Sequence, residues 1–181
     1  MGIGNRVKEA IEKIVQGDFE NALIQISIAI DASGKKKRPK DGVGVRYKSF
    51  IRDHESFIVY SLVGIKSTAS PVLTFPNPHG DDFDIAHAYY KSVRNGLLHE
   101  GEIGDKLEII EGNQIAYNNG KVSISQNILW SLLLVVICDP VNANESIEGI
   151  HNIQVQGKEL SLHNMWGKLQ ELHDAFGYSS L

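Results

Sequence analysis

The apolar residues of this 181-residue chain follow a helical period up to about Gly101 and a period close to two directly after it. Positions three and four apart share one face of an α-helix, whereas alternate positions share one face of a strand. The change of period predicts a mainly α fold, a helical bundle with a small β-hairpin or sheet appended. With 42% apolar residues the chain can bury one core. We therefore expect a single domain over residues 1–181, with the hairpin inserted at about 106–125.

Glycine, proline and capping residues divide the helical part. Gly17 is expected to end the first helix, and Asp18 to cap a second, central helix. The glycine- and proline-containing segment 34–42 is predicted as a loop. Another helix is expected to begin after a cap at Asp81 or Asp82 and to end near Gly101. Besides that helix, the pattern predicts helices over 5–15, 19–33, 45–63, 126–138 and 164–176.

Turn residues punctuate the strand-like runs and the segment that precedes them. Residues 67–80 contain three prolines and are predicted to be irregular. Asn118-Asn119-Gly120 is a strong hairpin signal, and a turn at Gly157-Lys158 is expected in a second strand region. The predicted strands cover residues 106–110, 114–117, 121–124 and 153–162.

Charge, cysteine content and hydropathy exclude several classes of protein. The net charge of −4 gives no global attraction to nucleic acid, so such binding needs a local basic patch. A single cysteine, Cys138, cannot form an internal disulfide, which favours a cytoplasmic setting. Residues 1–8 lack the order of a secretion signal, and the apolar run 128–138 is about half the length of a membrane span. We expect neither export nor membrane insertion.

A polar stripe is predicted on the helix that begins near Asp82. His87, Lys91, Arg94 and Asn95 fall at i, i+4, i+7 and i+8, which places them on one side of an α-helix. An arginine suits a phosphate because its guanidinium is a fixed planar cation, and a histidine exchanges protons near neutral pH. His99 lies roughly 140° from Arg94 on an ideal helix. Convergence of these two side chains therefore needs a loosened helix end or a second subunit.

A structural interpretation of the same residues stays open. Cationic side chains near a helix C-terminus are favoured by the macrodipole. Glu100 and Glu102 offer surface partners for Arg94 or Lys91. Chemistry alone does not decide between a catalytic group and a solvated helix end.

The run Tyr90-x-x-x-Arg94-Asn95-Gly-Leu-Leu-His99 resembles the signature of the HEPN superfamily, which is arginine, a polar residue, three variable residues and histidine. The resemblance covers about residues 19–101 and leaves the hairpin region unexplained. Members paired with a nucleotidyltransferase antitoxin carry a tyrosine two residues after the histidine. This chain has Gly101 there, so regulation through such a tyrosine is not expected.

The resemblance implies an HEPN-like bundle that dimerises and brings two motifs to one cleft. It implies a metal-independent endoribonuclease of toxin–antitoxin or phage-defence type, with RNA as substrate, no cofactor, and an antitoxin protein as a further partner. Carried over by position, Arg94 stabilises phosphate charge, Asn95 orients, and His99 is the general acid/base that leads to a 2′,3′-cyclic phosphate. The alternative is an inactive HEPN-type module that binds nucleic acid, nucleotide or a protein.

Other charged clusters offer substrate or metal contacts. Lys35, Lys36, Lys37 and Arg38 belong to a basic run that would track RNA phosphates beside His87 and Lys91. A solvated surface loop is the alternative, and proximity to the motif would favour phosphate binding. The histidines and aspartates over 79–87 match no metal-ligand spacing, so no metal site is expected.

Overall fold

A computed structural model shows a helical bundle with small sheets, as the change of period predicted. The structure describes residues 2–63, 74–75, 83–95, 107–112, 114–118, 121–149 and 152–178. In this part of the chain the helices are α1 (Ile3–Val15), α2 (Phe19–Lys37), α3 (Val43–Val63), α4 (Ile85–Tyr89), a π-helix (Tyr90–Asn95), α5 (Asn127–Cys138) and α6 (Leu169–Phe176). Short 3-10 turns cover Pro140–Asn142 and Leu162–Asn164.

The first three helices and α5 form the core. α1 packs on α2, α2 packs on α3, and α5 packs against both α2 and α3. Between Ile128 and Cys138 every residue of α5 except Trp130 is buried. A helix that is apolar all round is buried from all sides. α5 therefore shares the centre of the bundle with α2, the helix that we expected there.

The boundary between α1 and α2 follows the sequence signals. Gly17 has a φ of +75°, a conformation that L side chains rarely adopt, and it stands directly after the end of α1. The Asp18 carboxylate then accepts a hydrogen bond from the backbone N–H of Asn21. The predicted helix end and N-cap are both confirmed.

The predicted loop over 34–42 is partly wrong because α2 continues to Lys37. Its final turn is held by contacts with distant segments. Lys36 pairs with Glu145 at 2.5 Å, and Lys37 pairs with Asp139 at 2.8 Å. Cations near a helix C-terminus are also favoured by the macrodipole. These tertiary partners are invisible in the local sequence, which shows only a glycine and a run of charge.

We expect Gly34→Ala to destabilise the fold by about 1–3 kcal/mol. A Cβ at Gly34 would lie 2.9 Å from the backbone oxygen of Arg46, which is part of α3. The close approach of α2 and α3 outweighs the roughly 1 kcal/mol that alanine gains over glycine in a helix. Urea unfolding measures the change.

Gly42→Ala is the matched control, because no atom lies within 4 Å of a Cβ built at Gly42. That variant should be neutral or slightly more stable. Equal unfolding midpoints for the two alanine variants would contradict the close-approach argument.

In the part of the chain that the structure describes, the strands form three small sheets. β1 (Thr74–Phe75) pairs antiparallel with β2 (Phe83–Asp84). β3 (Leu107–Ile110) runs parallel to β5 (Lys121–Ser125), and β5 also pairs antiparallel with β4 (Ile115–Asn118). β6 (Asn152–Val155) pairs antiparallel with β7 (Lys158–Ser161). The predicted hairpin near 106–125 is confirmed, with β5 as the middle strand of its sheet.

Two predicted features of the strands and turns are wrong in detail. Thr74–Phe75 form a strand within the segment predicted to be irregular, whose other residues lie outside the described part. The turn of the last hairpin is Gln156-Gly157, one residue earlier than predicted, and both residues have positive φ. Two consecutive residues with positive φ are typical of the tight turn that matches strand twist.

The C-terminal helix also begins later than predicted. α6 starts at Leu169, not near residue 164, because Gly167 adopts a φ of +75°. The Gly167 N–H donates to the carbonyl of Ile137 at 3.0 Å. This hydrogen bond holds the residues that precede α6 against the end of α5.

Candidate nucleic-acid interface

The helix that carries the motif begins at a residue that is also bound to α3. Asp84 caps α4 by accepting a hydrogen bond from the backbone N–H of His87 at 2.8 Å. The same carboxylate pairs with Arg52 Nε at 2.6 Å. The predicted cap at Asp81 or Asp82 is therefore wrong: α4 starts at Ile85, after the short strand β2. Asp84 fixes this start because one carboxylate serves both the helix end and a residue of α3.

Burial would raise the pKa of Asp84, yet the pKa is lowered. The hydrogen bonds from Arg52 and from the His87 N–H outweigh the cost of burial. Asp84 is therefore ionised at neutral pH. Its negative charge offsets the positive charge of Arg52, so this pair adds little net charge to the surface.

The backbone changes from an α-helix to a π-helix at Tyr90, inside the motif. A π-helix bonds residues five apart and takes more residues per turn than an α-helix. The predicted stripe assumed α-helical spacing through Asn95, so it no longer places Arg94 and Asn95 on the side of His87 and Lys91. Single π turns occur frequently at functional sites. The backbones of Arg94 and Asn95 lie in this turn, and His99 lies outside the described residues.

The π-helix packs closely on α3. A Cβ at Gly44 would lie 2.9 Å from the Tyr90 hydroxyl oxygen, so the glycine leaves room for the tyrosine. The rings of Tyr47 and Tyr90 have centroids 5.8 Å apart, and Val93 is fully buried. This packing holds the start of the motif against a long and well-buried helix.

Four basic side chains gather where α3 meets α4. Lys48 and Arg52 are four residues apart on α3, and His87 and Lys91 are four apart on the motif helix. We call Lys48, Arg52, His87 and Lys91 the α3–α4 cationic face. Lys48 Nζ lies 5.5 Å from the centroid of the Tyr90 ring. His87 and Lys91 were predicted from the sequence; Lys48 and Arg52 were missed, although their i, i+4 spacing on a predicted helix was a usable signal.

The charges of the cationic face act on His87. Partial desolvation lowers the pKa of His87, and the nearby positive charges of Lys48, Lys91 and Arg52 lower it further. Asp84 opposes this effect without cancelling it. The imidazole is therefore neutral at pH 7, and it lies in a positive local field. An anion bound there would favour its protonation.

The basic run at the end of α2 is largely engaged in structural ion pairs. Lys36 pairs with Glu145 and Lys37 with Asp139, as described above, and Lys37 also pairs with Asp53 at 2.9 Å. Arg38 pairs with the same Asp53 at 2.8 Å. Lys35 is exposed and has no ion pair with a described residue. The structure thus places Lys36, Lys37 and Arg38 in carboxylate contacts, and their RNA-binding role stays a prediction.

A buried ionic network was missed by sequence reasoning. Asp139 is 1% exposed and accepts hydrogen bonds from His54 Nε2 at 2.9 Å and from Lys37 Nζ at 2.8 Å. It also accepts one from the backbone N–H of Val141. Burial would raise the pKa of Asp139, but these hydrogen bonds hold it well below its ordinary value. The network joins the ends of α2 and α5 to α3, so its role is structural.

The described residues show neither a group of metal-ligating side chains nor a helix that could span a membrane. In that part of the chain, no group of three or more His, Cys, Asp or Glu side chains is placed to hold a metal ion. Cys138 is buried, and burial raises the pKa of its thiol. None of the described helices combines the length and hydropathy needed to cross a membrane.

The Rv1289 family matches residues 2–180, which is nearly the whole chain. The chain belongs to the Rv1289 family. Similar relatives are the uncharacterized proteins Rv1289 of Mycobacterium tuberculosis (strain ATCC 25618 / H37Rv) and Mb1320 of Mycobacterium bovis (strain ATCC BAA-935 / AF2122/97). Each is 22% identical over 179 residues, covering 92% of this chain and 84% of the relative. No solved structure matches the chain.

These relatives carry no activity, substrate or partner over to this member of the Rv1289 family. The matched range includes α3, α4 and the whole motif.

Proposed function

We propose that this member of the Rv1289 family is a metal-independent endoribonuclease of toxin–antitoxin or phage-defence type, with a composite site in a homodimer cleft. The observation that carries the proposal is the α3–α4 cationic face, two of whose residues, His87 and Lys91, lie on the motif helix shortly before Arg94. A protein of net charge −4 needs such a local basic surface to bind a polyanion. The HEPN-like motif supplies the chemistry next to it.

The reaction needs three kinds of group. The ribose 2′-hydroxyl oxygen attacks the adjacent phosphorus, the bond from phosphorus to the 5′-oxygen breaks, and a 2′,3′-cyclic phosphate and a 5′-hydroxyl are formed. Arg94 stabilises the charge that develops on the phosphate oxygens. His99 transfers protons as general acid/base. Asn95 orients His99 or the scissile phosphate.

Dimerisation completes this set of groups. One motif offers a single histidine, whereas the reaction removes a proton from the 2′-hydroxyl and delivers one to the 5′-oxygen. Two motifs in one cleft supply a histidine for each transfer. The π turn packs on α3, which supports the start of the motif, and pre-organised catalysis requires such a support.

The proposal is tested by incubating the purified protein with a defined RNA oligonucleotide in excess EDTA. We expect cleavage that survives the chelator, with products that end in a 2′,3′-cyclic phosphate by mass spectrometry. His99→Ala protein, purified in the same way, controls for contaminating nucleases. Cleavage that EDTA abolishes, or that is equal in the His99→Ala preparation, would sink the proposal.

An inactive binding module is the second candidate. The cationic face supports it, because lysines hold a phosphate whether or not a bond is broken. This candidate predicts RNA binding without turnover, and equal growth of host cells that express wild-type or Arg94→Ala protein. Growth inhibition by the wild-type protein alone supports the nuclease.

A further inference from the structure

We propose that Lys48, His87 and Lys91 form a second phosphodiester subsite for single-stranded RNA, and that His87 takes up a proton when the phosphodiester binds. This inference rests on the proposed function for its substrate class. It adds a residue of α3 to the RNA-binding surface and gives His87 a role separate from that of the motif. The subsite holds a neighbouring phosphate, not the one that is cleaved.

The three side chains are positioned by packing and by a helix cap. Lys48 lies over the ring of Tyr90, which is itself packed against α3 at Gly44. His87 is the residue whose N–H binds the capping carboxylate of Asp84. Lys91 follows His87 by four residues. Lys48 from α3 and Lys91 from the motif helix are therefore both close enough to His87 for their charges to act on it. A phosphate with two free oxygens can bridge donors that come from two neighbouring helices in this way.

The charged groups around His87 give the subsite a net positive electrostatic field. Lys48 and Arg52 face it from α3, Lys91 from its own helix, and Asp84 from the start of α4. Because Arg52 and Asp84 are paired with each other, the two lysines supply the net positive field. Desolvation and the repulsion from the lysines together lower the pKa of His87, and a bound phosphodiester anion offsets the repulsion. Protonation then adds a third cationic donor to the phosphate.

The location favours RNA over an acidic protein. His87 and Lys91 precede the Arg-Asn-x-x-x-His motif on the same helix, and Lys48 of α3 lies over the ring of Tyr90, so a strand held at the motif has further phosphates to place. Repeating phosphates at short intervals match two lysines that come from adjacent helices. An acidic protein segment is the competing occupant.

Binding is measured by fluorescence anisotropy with a short 2′-O-methylated oligoribonucleotide, which binds but lacks the attacking hydroxyl. The variants are Lys48→Gln and Lys91→Gln. The control is Lys168→Gln, an equal charge change at an exposed lysine beside α6 that pairs with Glu171. We expect each of the first two variants to reduce the slope of log K against log salt by about 0.7, the value for one phosphate contact on a single strand. The control should leave the slope unchanged.

Proton uptake is measured by NMR titration of the His87 ring. The pKa of His87 should rise when the oligoribonucleotide is added. In free Lys48→Gln protein it should already be higher than in the wild type, because one source of repulsion is gone. The shift in free Lys48→Gln protein reports only that the charge of Lys48 acts on His87. The rise on addition of the oligoribonucleotide is the result that tests the subsite, and thermal unfolding confirms that both variants are folded.

The outcomes separate this inference from the proposed function. In one outcome, the expected changes of salt slope and of the His87 pKa are found in a protein that does not cleave RNA. That result supports the subsite and rules out the nuclease. Cleavage together with unchanged slopes in both lysine variants overturns the subsite alone. Wild-type protein that does not bind the oligoribonucleotide also overturns it. In a last outcome, polyglutamate displaces the RNA at equal charge concentration, and Lys48→Gln weakens the binding of polyglutamate as much as that of RNA. That outcome assigns the surface to an acidic protein and overturns the RNA subsite.

Discussion

Replacing His99 by alanine is expected to lower the rate of RNA cleavage by about 10²–10⁴-fold, the usual contribution of a positioned general acid or base. The reason is that the 2′-hydroxyl is a weak nucleophile until its proton is taken, and the 5′-oxygen is a poor leaving group until it receives one. Initial rates in EDTA, at saturating RNA, measure the loss. His163→Ala is the matched control, because His163 is an exposed histidine on the 3-10 turn Leu162–Asn164.

The composite cleft adds a second test of the same prediction. Arg94→Ala should also be strongly impaired, and Arg94→Lys should recover only part of the rate, because lysine keeps the charge but loses the planar fork of donors. Mixed dimers of wild-type and His99→Ala protein should be nearly inactive, because each cleft needs a histidine from both subunits. A His99→Ala enzyme as fast as the wild type contradicts the assignment. Activity that falls only in proportion to the fraction of wild-type subunits contradicts a shared cleft.

Asp139→Ala is expected to lower the free energy of unfolding by about 3–5 kcal/mol, the cost of breaking a buried pair by removing one partner. The substitution leaves His54, which is 4% exposed, without its carboxylate and removes the acceptor of the Val141 N–H. Lys37 retains Asp53, which limits its share of the loss. Urea unfolding followed by circular dichroism gives the difference.

Asp41→Ala is the control for this substitution, because Asp41 is exposed in the loop between α2 and α3. A surface change of this kind should stay within about 0.5 kcal/mol of the wild type. A similar small effect for Asp139→Ala would show that the network contributes little to stability.

The pH dependence of the Asp139 contribution has a definite sign. A carboxyl group whose pKa is lower in the folded state stabilises the fold above its unfolded value of about 3.9 and loses this contribution as pH falls below it. The lowered pKa of Asp139 therefore predicts a steep loss of stability below about pH 4. Asp139→Asn, which cannot ionise, should show a smaller slope in that range. Identical slopes for wild type and Asp139→Asn would contradict the assignment.

Local signals predicted those elements whose causes are local. Gly17 and Asp18 separate α1 from α2 because a positive φ and a side-chain cap need only adjacent residues. The antiparallel pairing of β4 and β5 follows from the turn signal Asn118-Asn119-Gly120. The apolar run that forms α5 is buried wherever the bundle places it. In the site, the same reasoning found His87 and Lys91 from their spacing.

Predictions failed where the cause was distant in the chain. α2 extends to Lys37 because Glu145 and Asp139 lie beside its last turn, and no local pattern shows them. Asp84, and not Asp81 or Asp82 as predicted, caps the motif helix, because Arg52 of α3 binds the Asp84 carboxylate. The π turn at Tyr90 arises where the motif packs on α3. Sequence periodicity assumed an α-helix there, so the spacing could not place Arg94 and Asn95 at the end of the π-helix.

The sequence by itself determined the mainly helical class, the appended hairpin, and the presence of an Arg-Asn-x-x-x-His motif with basic residues before it. These depend on periodicity, turn residues and residue identity, which are properties of neighbouring positions. Only the tertiary structure showed that Lys48 and Arg52 join His87 and Lys91 on one face, and that most of the basic run at the end of α2 is paired with carboxylates. A surface cation can bind a phosphate only where the packing has not placed a carboxylate from a distant segment beside it. That information lies in the packing of the helices and not in the order of the residues.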